Sequence, residues 1–228
     1  MRLRVLYIVI LLGFAFVLTW LVLSPTHPPH LDDVDDLASM LKSCPGVADI
    51  SANTVPSPKG RVIHFIRYGF VSREKVPEIE EYDEYVDILE YTHLSQSKSL
   101  NYLVDQYGLD AVWVEWLTKE NIEVIYDLVK LARSGPTTRE QRIELGPVGN
   151  LIADYVDIKA QPLDDEYEIL NLKLDPKLRD AGIVDRITKS GRMTVVIHLG
   201  PSDEISKLFN DKGWSYFQVE PRNNLGED

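Results

Sequence analysis

A chain of 228 residues, 44% hydrophobic and 26% charged, can bury one core of ordinary size but would be cramped as two full domains. Its 36 acidic residues outweigh 24 basic ones to give a formal charge of -12, and no Lys/Arg block offers the footprint a phosphate backbone needs, so nucleic acid is excluded as a partner. Cys44 is the single cysteine, which rules out an intramolecular disulfide and leaves a buried bystander thiol as the expectation.

The first element is apolar. Val5 to Leu23 carries no charge and approaches the ~20 residues that cross a bilayer. Arg2 and Arg4 precede it and no Lys or Arg follows until Lys42, so residues 1–4 are expected in the cytoplasm and everything after the span outside. The exit "WLVLSPTHPPH" lacks the small-residue pair of a signal cleavage site, and the apolar run is longer than a signal-peptide core. Residues 5–23 therefore read as an uncleaved transmembrane signal anchor.

Residues 24–59 read as an extracytoplasmic linker. It holds a short amphipathic helix marked by Leu31, Val34, Leu37, Met40 and Leu41, then the turn-rich and aperiodic "CPGVADISANTVPSPKG". A globular domain is expected over 60–221, followed by a flexible tail at 222–228. Within the domain the pattern alternates. A strand at 61–66 leads to a helix at about 78–106, a strand at 110–115 and a helix at 119–133. A short helical piece at 148–155, a strand at 156–160 and helices near 164–172 and 177–189 come next. The chain closes with strand 193–199, helix 203–211 and strand 214–220. Gly108, Gly191 and Gly213 each fall where a helix hands over to a strand and a left-handed residue is needed. Such alternation predicts an α/β fold, with a mostly parallel sheet and crossover helices on both faces, preceded by the transmembrane helix. Strand order is not readable from it.

Ligands of open parallel sheets bind outside the carboxyl ends of the strands, which makes the polar strand-end residues the site candidates. The first strand holds His64 and runs into Arg67 and Tyr68. The second ends on Glu115 and Trp116, and a late one holds His198 before "LGPSDE" with Asp203. A carboxylate with two histidines suits either a metal such as zinc or acid–base chemistry. No HExxH, CxxC, GxSxG or phosphate-loop pattern selects between them, and no cofactor is specified. Haem finds a His or Tyr ligand but no attachment motif. His64 reads equally as a ligand or as a hydrogen-bonded core histidine. Glu115 reads as a site residue or as one half of an ion pair, with Arg67 as its partner. For "GPSDE" a helix cap made by Ser202 or Asp203 is the favoured reading. His27, His30 and His93 are expected to be solvated.

Four blocks together, "RVIHFIRYGFVSRE", "LSQSKSLNYLVDQYGLDAVWVEWLT", "IELGPVGNLIADYVDIKAQPLDDEYE" and "VVIHLGPSDEIS", resemble exported bacterial domains. Those are similar in turn to the group of haem-uptake ChaN-like, TraB/Tiki-type and erythromycin-esterase-like proteins. The resemblance spans about residues 60–221. It implies an α/β fold with a cleft lined by a first-strand histidine, a glutamate ending the next strand, and a late Gly/His/Asp turn. His64, Glu115 and Asp203 occupy the matching positions. Two ligand positions depart from the group's pattern: Gly69 stands where a second histidine is usual, and "GPSDE" replaces Gly-Gly-x-His-Asp. The resemblance also implies a bacterial inner-membrane protein whose C-terminal domain faces the periplasm.

Two functions from different classes follow. One is a non-catalytic or degenerate binding module for a small molecule or peptide, with Tyr68, Trp116, His198 and Asp203 lining its cleft. The alternative is a hydrolase-like enzyme, metal-dependent or not, in which Glu115 and His64 act as base, acid or ligand and Arg67 stabilises developing negative charge.

Overall fold

The structure is a computed structural model and describes residues 29–69, 82–119, 122–165, 175–202 and 204–222. The expected anchor at 5–23, most of the expected helix at 164–172, Asp203 and the tail beyond Arg222 lie outside the described residues. No helix among the described residues is long and apolar enough to cross a membrane.

Apolar runs with β-branched residues build a six-stranded sheet. Its strands are β1 (Val47–Asn53), β2 (Gly60–Ile66), β3 (Ala111–Val114), β4 (Lys159–Pro162), β5 (Thr194–Leu199) and β6 (Trp214–Pro221), in the order β1-β6-β2-β5-β3-β4. Every pairing is parallel except that of β1 with β6. The central strands β2 and β5 are buried almost throughout, which is why they read as continuous apolar runs.

Alternation divides the side chains between two cores. Ile63, Phe65, Val112, Val114 and Val196 face one side, where they meet Leu100 and Leu103 of α2 (Tyr82–Tyr107) and Val148 and Leu151 of α4 (Arg139–Asp154). α3 (Ile122–Ser134) packs against α4 on that side. Val62, Val195, Ile197 and Leu199 face the other side, against Ile183, Val184 and Ile187 of α5 (Pro176–Thr188) and Phe209 of α6 (Ile205–Asp211). The protein is an α/β fold with a mostly parallel sheet. Gly108 and Gly213 take left-handed φ values of 65° and 81° at the helix-to-strand joins where the sequence called for them.

The segment before residue 60 is not a free linker. Leu31, then Leu37 and Leu41 of α1 (Leu37–Lys42), then Cys44 and Val47 are 1–4% exposed and belong to the same core as α2. Arg61 reaches back to the carbonyls of Val34 and Asp32, and Ser99 of α2 donates to the Pro45 carbonyl at 2.7 Å. Leu31 to Val47, which fall within the linker expected over 24–59, therefore pack into the main core. β1 escapes the pattern search because only Val47 is buried along it. It is an edge strand held by backbone pairing to β6.

α4 also begins earlier than expected, on a capping box between Thr138 and Gln141. It is broken at Gly146, where φ is 63°, ahead of Pro147. The Asn150 side-chain amide donates to the carbonyls of Arg142 and Gly146 at 2.9 and 2.8 Å, satisfying acceptors freed by the break.

Candidate functional site

The carboxyl ends of β2, β3 and β5 lie along one edge, and a cavity of about 640 Å³ opens beyond them towards α2, α3 and α4. Arg67 and Tyr68 enter it from the end of β2, Glu115 and Trp116 from β3, and His198 from β5. His93 of α2 supplies part of the wall, Ile125 and Leu128 of α3 another part, and the Gly146–Val148 break of α4 a third. Tyr68 and Trp116, each 38% exposed, leave their rings at the mouth. Five of the residues singled out by sequence thus converge here: Arg67, Tyr68, Glu115, Trp116 and His198.

His64 does not line this cavity. It sits opposite Ile197 in the ladder while its neighbour Phe65 sits opposite His198, so the two histidines point to opposite faces of the sheet. His64 is fully buried, with Nε2 2.7 Å from the Leu199 carbonyl and the Tyr216 hydroxyl against Nδ1. The Leu199 carbonyl can only accept, which assigns the proton to Nε2 and leaves Nδ1 to accept from the Tyr216 hydroxyl. Burial lowers its pKa to about 4, only partly opposed by the Leu199 carbonyl. This is the geometry of a core histidine with both nitrogens satisfied.

Glu115 ends β3 at 7% exposure, and each of its oxygens already has a donor. Oε1 accepts from Arg179 Nη2 at 2.7 Å and Oε2 from the Gly200 N–H at 2.8 Å. Arg67, the partner expected from sequence, forms an ion pair with Oε2 at 3.6 Å, beyond hydrogen-bond length. The principal cation is Arg179 of α5, itself clamped by Asp164 through Nε–Oδ1 at 2.7 Å and Nη2–Oδ2 at 3.2 Å. Asp164 also accepts the Trp116 N–H at 2.7 Å. Burial opposes the charge on Arg179, but Asp164 and Glu115 outweigh it and hold its pKa raised. Sequence reasoning missed both Arg179 and Asp164. One signal was present: Arg179, Ile183 and Ile187 recur at four-residue spacing along the buried stripe of α5.

Trp116 is held in a left-handed conformation at φ 66°, uncommon for a bulky residue. The Asp164 carboxylate on its N–H fixes that turn, and Trp116 lines the cavity from it.

The cavity wall contains two buried imidazoles. His93 is 6% and His198 5% exposed. His93 differs from the solvated residue expected from sequence, because it shares the inner stripe of α2 with Leu89, Gln96, Leu100 and Leu103. Neither of its ring nitrogens, nor Nε2 of His198, has a well-aligned hydrogen-bond partner among the described residues. Burial lowers the pKa of His93 to about 4; the Tyr68 and Ile143 carbonyls pull it upward and the Arg67 charge pulls it down. Burial, then Arg67 and the neighbouring histidines, hold His198 well below the ordinary range. Both rings are neutral near pH 7, each with one N–H and one bare nitrogen.

Among the described residues, no cluster of three or more His, Cys, Asp or Glu is arranged to hold a metal ion. At the late turn, Ser202 Oγ accepts the Ile205 N–H at 3.3 Å and donates to Asp180 at 2.5 Å, which ties the start of α6 to α5; the N-cap position itself falls on Glu204, which makes no side-chain cap hydrogen bond. Asp203 lies outside the described residues. No protein-family model, curated protein or solved structure matches the chain.

Proposed function

We propose that the chain is a membrane-tethered, extracytoplasmic binding module that holds a small molecule in the strand-end cleft, a degenerate relative of the ChaN/TraB-like group. One observation carries the binding part. The two groups a hydrolytic role would require, Glu115 and His64, both have their polar atoms committed to internal partners, while the cavity beside them is of ligand size. A general base must be free to accept a substrate proton. Glu115 can do so only by giving up Arg179 or Gly200. The cleft has the composition of a binding site: apolar walls from α3 and α4, aromatic rings at the mouth, and a few convergent polar groups. Tethering rests on the uncharged Val5–Leu23 run and the flanking Arg2 and Arg4.

Titration of the full chain with the neutral dye Nile red tests the cleft. A fluorescence gain is expected, and Leu128→Trp, which fills the cavity from α3, should remove most of it. A gain unaffected by Leu128→Trp would place the dye elsewhere and remove the support for this site. Turnover of p-nitrophenyl acetate that vanishes in a folded Glu115→Gln variant would replace the binding role with an enzymatic one.

A further inference from the structure

We infer that the ligand of this cleft is an organic anion on an apolar body, its anionic group held by Arg67 with the imidazole edges of His93 and His198, and its body lying along Ile125, Leu128 and Pro147. The inference rests on the binding role proposed above and names the chemistry of its ligand.

Three observations point the same way. The first is the pair of buried imidazoles. Buried side-chain nitrogens are almost always hydrogen-bonded, yet Nε2 of His198 has no partner among the described residues, the ring nitrogens of His93 meet only the poorly aligned Tyr68 and Ile143 carbonyls, and both rings line the cavity. Such groups mark where a ligand atom or bound water completes the site. The second is Arg67. Its guanidinium is 38% exposed, and its approach to Glu115 at 3.6 Å is longer than a hydrogen bond. Among the described residues it has donors to spare, and a planar guanidinium suits a carboxylate or phosphate.

The third is the sign of the local field. Glu115 also lines the cavity and pairs with Arg67 at 3.6 Å, but both its oxygens are already bonded, to the Gly200 N–H and to Arg179, which it shares with Asp164. Arg67 depresses the basicity of both imidazoles, so the positive potential reaches the cavity wall. An ammonium placed there would meet Arg67 and, beside it, only the Glu115 carboxylate, whose two oxygens already accept hydrogen bonds. Glu144 also lines the cavity, but from α4, among the apolar wall residues. A neutral ligand would leave the Arg67 donors that do not face Glu115 without a charged acceptor. An anion satisfies all of them, and the apolar wall from α3 and α4 accounts for the rest of the space.

Calorimetric titration of the full chain with octanoate, 1-octanol and octylamine, which share one apolar body, separates the possibilities. Octanoate is expected to bind at least tenfold more tightly than either of the others. Arg67→Gln should weaken octanoate at least tenfold while changing 1-octanol less than threefold, and Arg67→Lys should retain most of the preference. If 1-octanol or octylamine binds as well as octanoate, the anion inference falls while the binding cleft stands. If none of the three binds, both fall. An octanoate affinity unchanged in Arg67→Gln also overturns the inference, and the ranking on the unmodified chain decides the matter even if that variant does not fold.

Discussion

Replacing Arg179 with methionine removes the cation at the centre of the buried cluster while keeping an unbranched stem in α5. Arg179 is 5% exposed, and the carboxylates it bridges have side-chain exposures of 7% for Glu115 and 0% for Asp164. Breaking a buried pair from one side costs about 3–5 kcal/mol, because the remaining charge is left uncompensated. Here two carboxylates would be left, but each keeps a backbone donor, Gly200 for Glu115 and Trp116 for Asp164. The cost should therefore fall within that range and not at twice it. Glu115→Gln probes the same cluster from the other side. Both Glu115 oxygens accept hydrogen bonds, and an amide offers one acceptor only, so its NH2 must face either Arg179 or the Gly200 N–H. An unpaired donor and a lost charge-assisted bond together amount to about 2–4 kcal/mol. Urea denaturation of the full chain, followed by circular dichroism, measures each variant and the double substitution. In the double variant the costs should fall short of the sum by about 1 kcal/mol or more, since the two residues share one interaction. Strictly additive costs, or a cost below about 1 kcal/mol for Arg179→Met, would refute the view that this cluster holds the strand ends together.

Removing the chain up to Val55 should abolish cooperative thermal unfolding, since it strips β1 and five residues buried to 1–4% exposure from the main core; a sharp transition in a chain starting at Pro56 would show that this arm is dispensable. His64 and His93 titrate at about 4 and His198 well below its usual range, in each case chiefly because of burial. The unfolded chain takes up their protons near pH 6.5 and the folded chain does not, so their stabilising effect is complete above about pH 6.5 and declines as pH falls towards 4. The decline should reach about 1.4 kcal/mol per pH unit for each histidine, and urea midpoints between pH 7.5 and 4.5 measure it; a flat profile would contradict the neutral, buried state of the three rings. Trp116→Gly relieves the left-handed φ, worth about 1–2 kcal/mol, and loses a half-buried ring contact, so stability should change little. The same variant should lose a large part of the Nile red signal, and an unchanged signal would remove the indole from the site.

The sheet was legible because its central strands are buried on both faces and carry uninterrupted runs such as "VIHFI" and "TVVIHL". β1 was not, because an edge strand with one buried residue has no period to detect. The convergence of Arg67, Glu115 and His198 followed from a general rule about parallel sheets. Which histidine faces the cleft depended on the register between β2 and β5, and a one-residue slip reverses the answer. His93 and Arg179 each stood in plain view on an apolar stripe of a helix, at four-residue spacing from Leu89 and Ile183. Their partners could not be read, because Asp164 lies in the segment after β4 and meets Arg179 only once the chain has folded α5 back against the sheet.

The cluster is also the physical basis of the proposed binding role. A continuous chain of contacts runs from the Trp116 N–H through Asp164, Arg179 and Glu115 to the Gly200 N–H. It joins the turn after β3, the segment after β4, the end of β5 and the helix α5, all at the edge where the cavity opens. Fully satisfied buried networks of this kind rigidify what they connect. Catalysis by Glu115 would require its bond to Arg179 or to the Gly200 N–H to open in each cycle. Binding requires only that the turn stay where it is. Arg67, which touches the network only through its 3.6 Å ion pair with Glu115, and the His198 imidazole keep hydrogen-bonding capacity for a ligand, and the network fixes the strand ends beside which they stand.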